Sequence, residues 1–200
     1  MRSLRTIFII LTLGLATQTL KAQHQLKGGP CEGCEAVFEY GNKQLNPIDT
    51  LPDYDRPGPK LKLTGTIYQS DGKTPATNVI LYIYHTNQAG LYARTANATG
   101  WARRHGELRG WIKTDRSGRY IFYTLKPGTY PSRSEPAHIH ATIFEPNGKY
   151  YYIEEWHFKG DALLYKLKNR KLYGGEDTLL ITNNTVNRDI ILGLNIPDYD

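Results

Sequence analysis

Sulfur is scarce in this chain: among 200 residues there are 2 cysteines and 1 methionine. Neither a disulfide-dense scaffold nor a zinc site of four cysteines can be built from that. A long apolar run is missing too, since Ile7-Phe8-Ile9-Ile10-Leu11-Thr12-Leu13-Gly14-Leu15-Ala16 is about half of the roughly 20 residues a membrane-spanning helix needs. Phe (5) and Trp (3) are sparse, whereas Tyr reaches 15, Gly 19 and Pro 11, a mixture that suits short strands and tight turns better than long helices. With 40% hydrophobic residues the chain is too apolar to be disordered, and its length allows one domain or two small ones.

Arg2 and Arg5 precede the apolar run, and Leu20-Lys21-Ala22 follows it, the pattern of a secretory signal peptide over residues 1–22. The expectation is a secreted or periplasmic protein with no membrane span in the mature chain. Removing that segment takes away Arg2, Arg5 and Lys21 but no acid, so the formal charge of +6 falls to +3. That is too weak to argue for a nucleic-acid partner. In an oxidising compartment Cys31-Glu32-Gly33-Cys34 is expected to close a small local disulfide rather than act as a redox pair.

Residues 23–60 are polar and turn-rich, without periodicity, and are expected to form an extended N-terminal arm. From Leu61 onward short runs rich in Tyr, Ile, Val and Thr alternate with turn signals, which predicts an all-β fold, a β-sandwich of about eight strands over 61–200 with long loops. The strands are expected at Leu61–Tyr68, Asn78–His85, Trp111–Thr114, Arg119–Leu125, Ala137–Phe144, Lys149–Phe158, Asp177–Thr182 and Val186–Leu194, with one short helix around Ala162–Asn169 and a long loop from Tyr92 to Arg109.

Chemistry concentrates at Pro136-Ala137-His138-Ile139-His140. On a strand both imidazoles project from one face while Ile139 points the other way, so they can chelate a metal. A bare pair of this kind is equally compatible with solvated or internally hydrogen-bonded histidines. A cupin-like site completed by Glu145 is disfavoured because that residue opens the Glu145-Pro146-Asn147-Gly148 turn. Tyr92 and Tyr130 lie in strongly shaped surroundings, Asn87-Gln88-Ala89-Gly90-Leu91-Tyr92 and Lys126-Pro127-Gly128-Thr129-Tyr130-Pro131. Phenolate oxygens beside a strongly charged cation would favour ferric iron, but composition alone does not single out these two tyrosines.

From about Leu63 to Leu164 the chain resembles the core of the intradiol ring-cleavage dioxygenases. The resemblance rests on Gly65-Thr66-Ile67-Tyr68 with Asp71-Gly72, the Asn87–Tyr92 stretch, Gly110–Asp115 with Gly118-x-Tyr120-x-Phe122, Thr124–Pro131, Pro136–His140 and Phe158-x-Gly160-Asp161. It implies a non-haem Fe(III) held by Tyr92, Tyr130, His138 and His140, no organic cofactor, and cleavage by O2 of a catechol between its hydroxyl-bearing carbons to a muconate-type diacid. Tyr130 would be both ligand and the base that accepts a substrate proton. The resemblance also marks departures. Glu135 stands where many members have Arg, with Arg133 two residues earlier as a compensating charge; Glu155 stands for Gln, and Tyr84 for Trp. All four are candidate pocket residues, and the two carboxylates argue for a neutral or bulky catechol over a carboxylated one. They also keep open a non-catalytic metal- or ligand-binding module derived from the fold. The helical dimerisation region of some relatives is not legible in 23–60, which leaves oligomerisation by another route open.

Overall fold

Burial along Lys60–Tyr68 (β3) alternates residue by residue, with Leu61, Leu63, Gly65 and Ile67 turned inward and Lys60, Lys62, Thr64, Thr66 and Tyr68 outward, the period a pleated strand imposes on a sequence that alternates apolar and polar groups. The same logic organises the computed structural model, which describes residues 23–200; the signal peptide expected at 1–22 lies outside the described residues. The strands are Gln25–Leu26 (β1), Ile48–Thr50 (β2), β3, Ile80–His85 (β4), Arg109–Lys113 (β5), Arg119–Leu125 (β6), His138–Phe144 (β7), Lys149–Phe158 (β8), Thr178–Leu179 (β9), Thr185–Asn187 (β10) and Ile190–Ile191 (β11). One sheet runs β1-β8-β7-β4-β5 with β9 on β8, and the other runs β10-β3-β6-β2 with β11 on β3. The all-β sandwich is therefore the observed fold.

Six expected strands match β3 to β8 to within two residues at either end. The last two differ. Asp177–Thr182 shrinks to β9, and Val186–Leu194 breaks into β10 and β11 because Arg188 turns inward. Its side chain is 3% exposed, and its carbonyl accepts the Tyr120 hydroxyl at 2.6 Å. Gly65 makes room for that carbonyl, since a Cβ there would lie 1.9 Å from it. The short helix expected around Ala162–Asn169 is a single 3-10 turn, Leu164–Lys166, and the Tyr92–Arg109 loop contains a one-turn helix, Ala102–His105 (α1), that the sequence did not announce.

Residues 23–60 do more than extend. They contribute β1, β2 and a 3-10 turn, Cys34–Phe38, and they cover half of one sheet. Between the sheets lies an aliphatic core that includes Leu81, Ile83, Ile139, Ala141 and Ile143 facing Leu63, Ile67 and Phe122. On the outer face of the first sheet, Cys34, Ala36 and Val37 of the arm pack on Ile80, Tyr82, Trp111 and Tyr150. Trp111 donates its indole N–H to the Ala36 carbonyl at 3.1 Å, and Glu39 reaches the Arg109 guanidinium at 2.7 Å. The arm's elements are two to five residues long, too short for any periodicity to show. Further along that outer face, beyond the arm, stand Tyr84, His138 and His140.

Candidate functional site

Two loops and one strand build the site. Asn87 organises the first loop: its side-chain oxygen accepts the N–H groups of Ala89 at 3.0 Å and Leu91 at 3.1 Å, and its carbonyl accepts those of Gly90 and Gly128, both at 3.0 Å. The second loop, 126–131, is locked onto the first at two glycines. Gly90 has φ 75°, and a Cβ there would lie 1.9 Å from the Thr129 carbonyl; a Cβ on Gly128 would lie 2.3 Å from that of Gln88. Only glycine permits this approach of two backbones, and its result is that the hydroxyls of Tyr92 and Tyr130 lie 2.7 Å apart.

The strand is β7. Ile139 is fully buried in the core, so His138 and His140 point outward, as the alternation requires. His140 pairs with Tyr84 across β4, and the two rings stack at 4.4 Å. Between Ile139 and Ala141 the register against β8 slips, a bulge that re-aims the side chain beside it. Glu155 comes to lie 3.5 Å from His140 Nδ1. The start of β7 is tied down by Asp161, whose carboxylate accepts the N–H groups of Ala137 at 3.0 Å and Leu163 at 2.8 Å. That is the physical role of the Phe158-x-Gly160-Asp161 stretch.

The four predicted donors converge. Tyr92 Oη is 2.8 Å from His140 Nε2, Tyr130 Oη is 3.1 Å from His138 Nε2, and the two Nε2 atoms are 3.1 Å apart. His138 Nδ1 lies 2.8 Å from the Pro136 carbonyl, an acceptor only, so Nδ1 carries the proton and Nε2 presents a lone pair. Glu155 fixes His140 in the same sense, leaving two lone pairs facing each other. Four close contacts thus share the two phenolic protons. A cation about 2 Å from each donor resolves that shortage, and two phenols with two imidazoles suit a hard, highly charged metal such as ferric iron. Among the described residues no three His, Cys, Asp or Glu side chains gather as a metal site; the group that converges here is two histidines with two tyrosines.

Electrostatics point the same way. Burial pushes the Tyr92 phenol up, with the Tyr130 hydroxyl adding to it, and burial also raises Tyr130. Burial, then the His140 imidazole beside it, lowers His138 to about 4. Burial would raise Glu155, but the interaction with the His140 imidazole outweighs it and holds the carboxyl at about 2. Without a cation both phenols stay neutral, whereas a bound cation stabilises the phenolates.

Three cavities front these atoms, one of them, of about 400 Å³, beside His138 between Glu135, Glu155 and the basic residues Lys166, Lys168, Arg170 and Lys171. Another of about 350 Å³ is bounded by Tyr92, Tyr130, His140, Tyr84, His105 and Arg104 among others. Beside it a cavity of about 250 Å³ runs between Tyr84, His140 and Glu155 and the arm residues Pro30–Gly33. Of the four candidate pocket residues, Tyr84, Glu155 and Glu135 line these spaces. Glu135 is exposed, 3.9 Å from His138 Nε2. Arg133 lines none of them; it is exposed at φ 51°, with its carbonyl taken by the Lys166 ammonium, so its position gives no support to a compensating charge. Glu145 is committed to the hydroxyls of Tyr151 and Tyr199 at 2.7 and 3.1 Å and is no third ligand. Cys31 and Cys34 are bonded to each other. The sequence did not single out His105, whose ring stacks on Tyr84 at 3.7 Å, nor Glu32, Trp101 and Arg104. No local pattern marks them; only the packing of the arm and α1 brings them to the site.

Comparison with known proteins agrees with this architecture. A family model described as Dioxygenase matches residues 36–189. The chain is 30% identical over 140 residues to the protocatechuate 3,4-dioxygenase beta chain of Burkholderia cepacia, a match that takes in 62% of this chain and 58% of that one. It is 30% identical over 137 residues to catechol 1,2-dioxygenase 1 of Acinetobacter lwoffii, taking in 60% of this chain and 42% of that one. The chain thus spans about half the length of the curated relatives it matches. Among solved structures, the dioxygenase domain of a dioxygenase carbohydrate-binding protein fusion from Streptomyces sp. SirexAA-E superposes with a TM-score of 0.59 at 21% identity, covering 84% of this chain and 98% of that one. The intradiol ring-cleavage dioxygenase from Tetranychus urticae gives 0.53 at 18% identity, covering 90% and 96%. With more than half its length matched by the family model, and with this fold, the chain belongs to the intradiol ring-cleavage dioxygenases.

Proposed function

We propose that the chain is an exported non-haem ferric dioxygenase that opens a catechol ring between its two hydroxyl-bearing carbons with O2, and that Tyr92, Tyr130, His138 and His140 hold the iron. The observation that carries this reading is the convergence of two phenol oxygens and two imidazole lone pairs within 3.1 Å of one another around the ring of contacts. Export is supported by the basic and apolar pattern of residues 1–22 and by the Cys31–Cys34 bond, which belongs to an oxidising compartment.

Ferric iron held by these four residues would supply Lewis-acid chemistry toward a catechol and O2. Tyr130, half-buried at the cavity, is placed to accept one catechol proton at its phenolate oxygen. The Pro136 carbonyl and Glu155 hold the outer nitrogens of His138 and His140, which keeps both Nε2 lone pairs aimed inward. Tyr84, stacked on His140, walls one side of the space. Glu155 and Glu135 place two carboxylates beside the imidazoles, which favours an uncharged catechol.

Iron-loaded protein should show the visible absorption of a ferric tyrosinate and consume O2 with catechol. Tyr130→Phe should keep the iron while slowing catechol deprotonation. Colourless iron-loaded protein would falsify the ligand set; coloured protein inert toward a panel of catechols would point instead to a binding module.

A further inference from the structure

One wall of the site comes from outside the sandwich. Pro30, Cys31, Glu32 and Gly33 close the smallest cavity opposite His140 and Glu155, and Glu32 also lines the one beside Tyr92 and Tyr130. Three constraints keep this segment there. Cys31 is bonded to Cys34, which is itself buried against the outer face of the sheet. Gly33, at φ 85°, lies so close to α1 that a Cβ would stand 2.4 Å from His105 Nε2 and 3.1 Å from the Trp101 ring. Glu32 forms an ion pair with Arg104.

That pair sets the charge on the side of the site that Tyr92 and Tyr130 face. Among the described residues lining the cavity beside those two tyrosines, Arg104 is the one arginine or lysine. Both partners of the pair are about two-thirds exposed, with side-chain exposures of 65% and 66%, so the pair contributes little to stability. It nevertheless cancels the positive charge that a ring carboxylate would otherwise find, and Glu155 adds a negative one on the far side of Tyr84.

We propose that the cross-linked Pro30–Cys34 loop is the specificity wall of this site, and that Glu32, by neutralising Arg104, sets it to favour an uncharged catechol over one carrying a ring carboxylate. With the catechol reading above as premise, Glu32 is a specificity-determining residue and takes no part in the chemistry. Its removal should leave the metal in place and change which ring is held.

The test uses the iron-loaded full chain and its Glu32→Gln variant with two probes, catechol and 3,4-dihydroxybenzoate. For each, kcat/KM is measured in air, and Kd is measured without O2 from the change in visible absorption. Glu32→Gln should move the preference toward 3,4-dihydroxybenzoate by roughly threefold, the size of one solvent-screened charge at the cavity rim, and the change should sit in KM and Kd rather than kcat. Arg104→Gln should move the preference the opposite way. Gly33→Ala, which pushes the loop and with it Glu32 off α1 while keeping both charged side chains, should shift Trp101 fluorescence and erode the discrimination. A structural role for Glu32 would change both probes alike; that result, or an unchanged ratio in Glu32→Gln or Gly33→Ala, overturns the proposal. If the probes bind but no O2 is consumed, the catalytic reading fails while the Kd ratio still decides on the wall. If neither probe binds to either protein, both fall.

Discussion

β4 and β7 each serve two faces of one sheet, and the two faces are made of different chemistry. Inward, Leu81 and Ile83 of β4 meet Ile139, Ala141 and Ile143 of β7 in the aliphatic core. Outward, the same strands present Ile80, Tyr82 and Tyr84 alongside His138, His140 and Thr142. The inner face meets another sheet, where dry, well-packed hydrocarbon is the stable filling. The outer face is shared between the arm and the site, and both need side chains with an apolar body and a polar end. Tyrosine supplies that combination, as Tyr82 shows by packing on Trp111 at 4.8 Å while its hydroxyl lies 2.8 Å from His105 Nδ1. Part of the excess of tyrosine over phenylalanine thus belongs to one face of one sheet. The lesson is that stability and chemistry are separated by the pleat: adjacent residues on one strand do different work.

The sharpest way to break the comparison is to mutate neighbours on β7. His140→Ala should abolish iron binding and colour, a loss of 100-fold or more in metal affinity on the order of that seen when a ligand or its support is removed, while the melting transition of the metal-free protein stays cooperative. Ile143→Ala, three residues on and facing inward, should do the reverse. Removing a fully buried side chain costs about 2–5 kcal/mol, read as a lower urea midpoint, and the folded fraction should still take up iron and colour. Equal loss of colour in both variants would mean that the faces are not independent.

How much of this division was legible follows from it. The inner face is written in the alternation of β3, β4 and β7, and the strand limits came out within two residues because the period of two is strong there. The four converging side chains were legible for a different reason: the resemblance to a family singled out Tyr92 and Tyr130 beside the histidine pair, and the structure adds why those loop motifs hold Asn87, Gly90 and Gly128, which two interlocked backbones require. The arm was not legible. Cys34, Ala36 and Val37 are buried in a single 3-10 turn, and no periodic signal precedes a turn that packs on residues more than forty positions away. Glu32, His105 and Arg104 were missed with it, since their importance arises only from that packing.

Acid should expose the inner face next. His85, on the core side of β4, lies 2.8 Å from the Thr124 hydroxyl and is 1% exposed; burial lowers its pKa to about 4. Its ordinary value is about 6.5, so as pH falls the unfolded chain binds the proton first. The stability tied to neutral His85 is complete above about pH 6.5, declines below it and is fully lost near pH 4, by up to about 3 kcal/mol. Urea midpoints measured from pH 8 to 4 should fall along that window, and His85→Gln should flatten the slope. A slope unchanged by that substitution would move its origin elsewhere, for example to His105 on the outer face, which burial lowers to about 3.

The smallest expected effect tests whether arm and site belong to one face in energy as well as in space. Trp111→Phe keeps most of the ring that packs under the arm but removes the indole N–H that reaches the Ala36 carbonyl at 3.1 Å. A neutral hydrogen bond of this kind is worth about 1 kcal/mol, enough to raise hydrogen exchange of residues 34–38 about fivefold while leaving β3 and β6 protected, because those strands lie in the other sheet. If the arm is a cover laid over a finished sandwich, catechol affinity should stay constant. If, as the position of Pro30–Gly33 implies, the arm also walls the site, loosening it at Ala36 should weaken catechol binding by a factor smaller than the exchange effect but in the same direction. The ratio of the two measures how stiffly the disulfide-linked turn transmits a change from the covered half of the face to the open half.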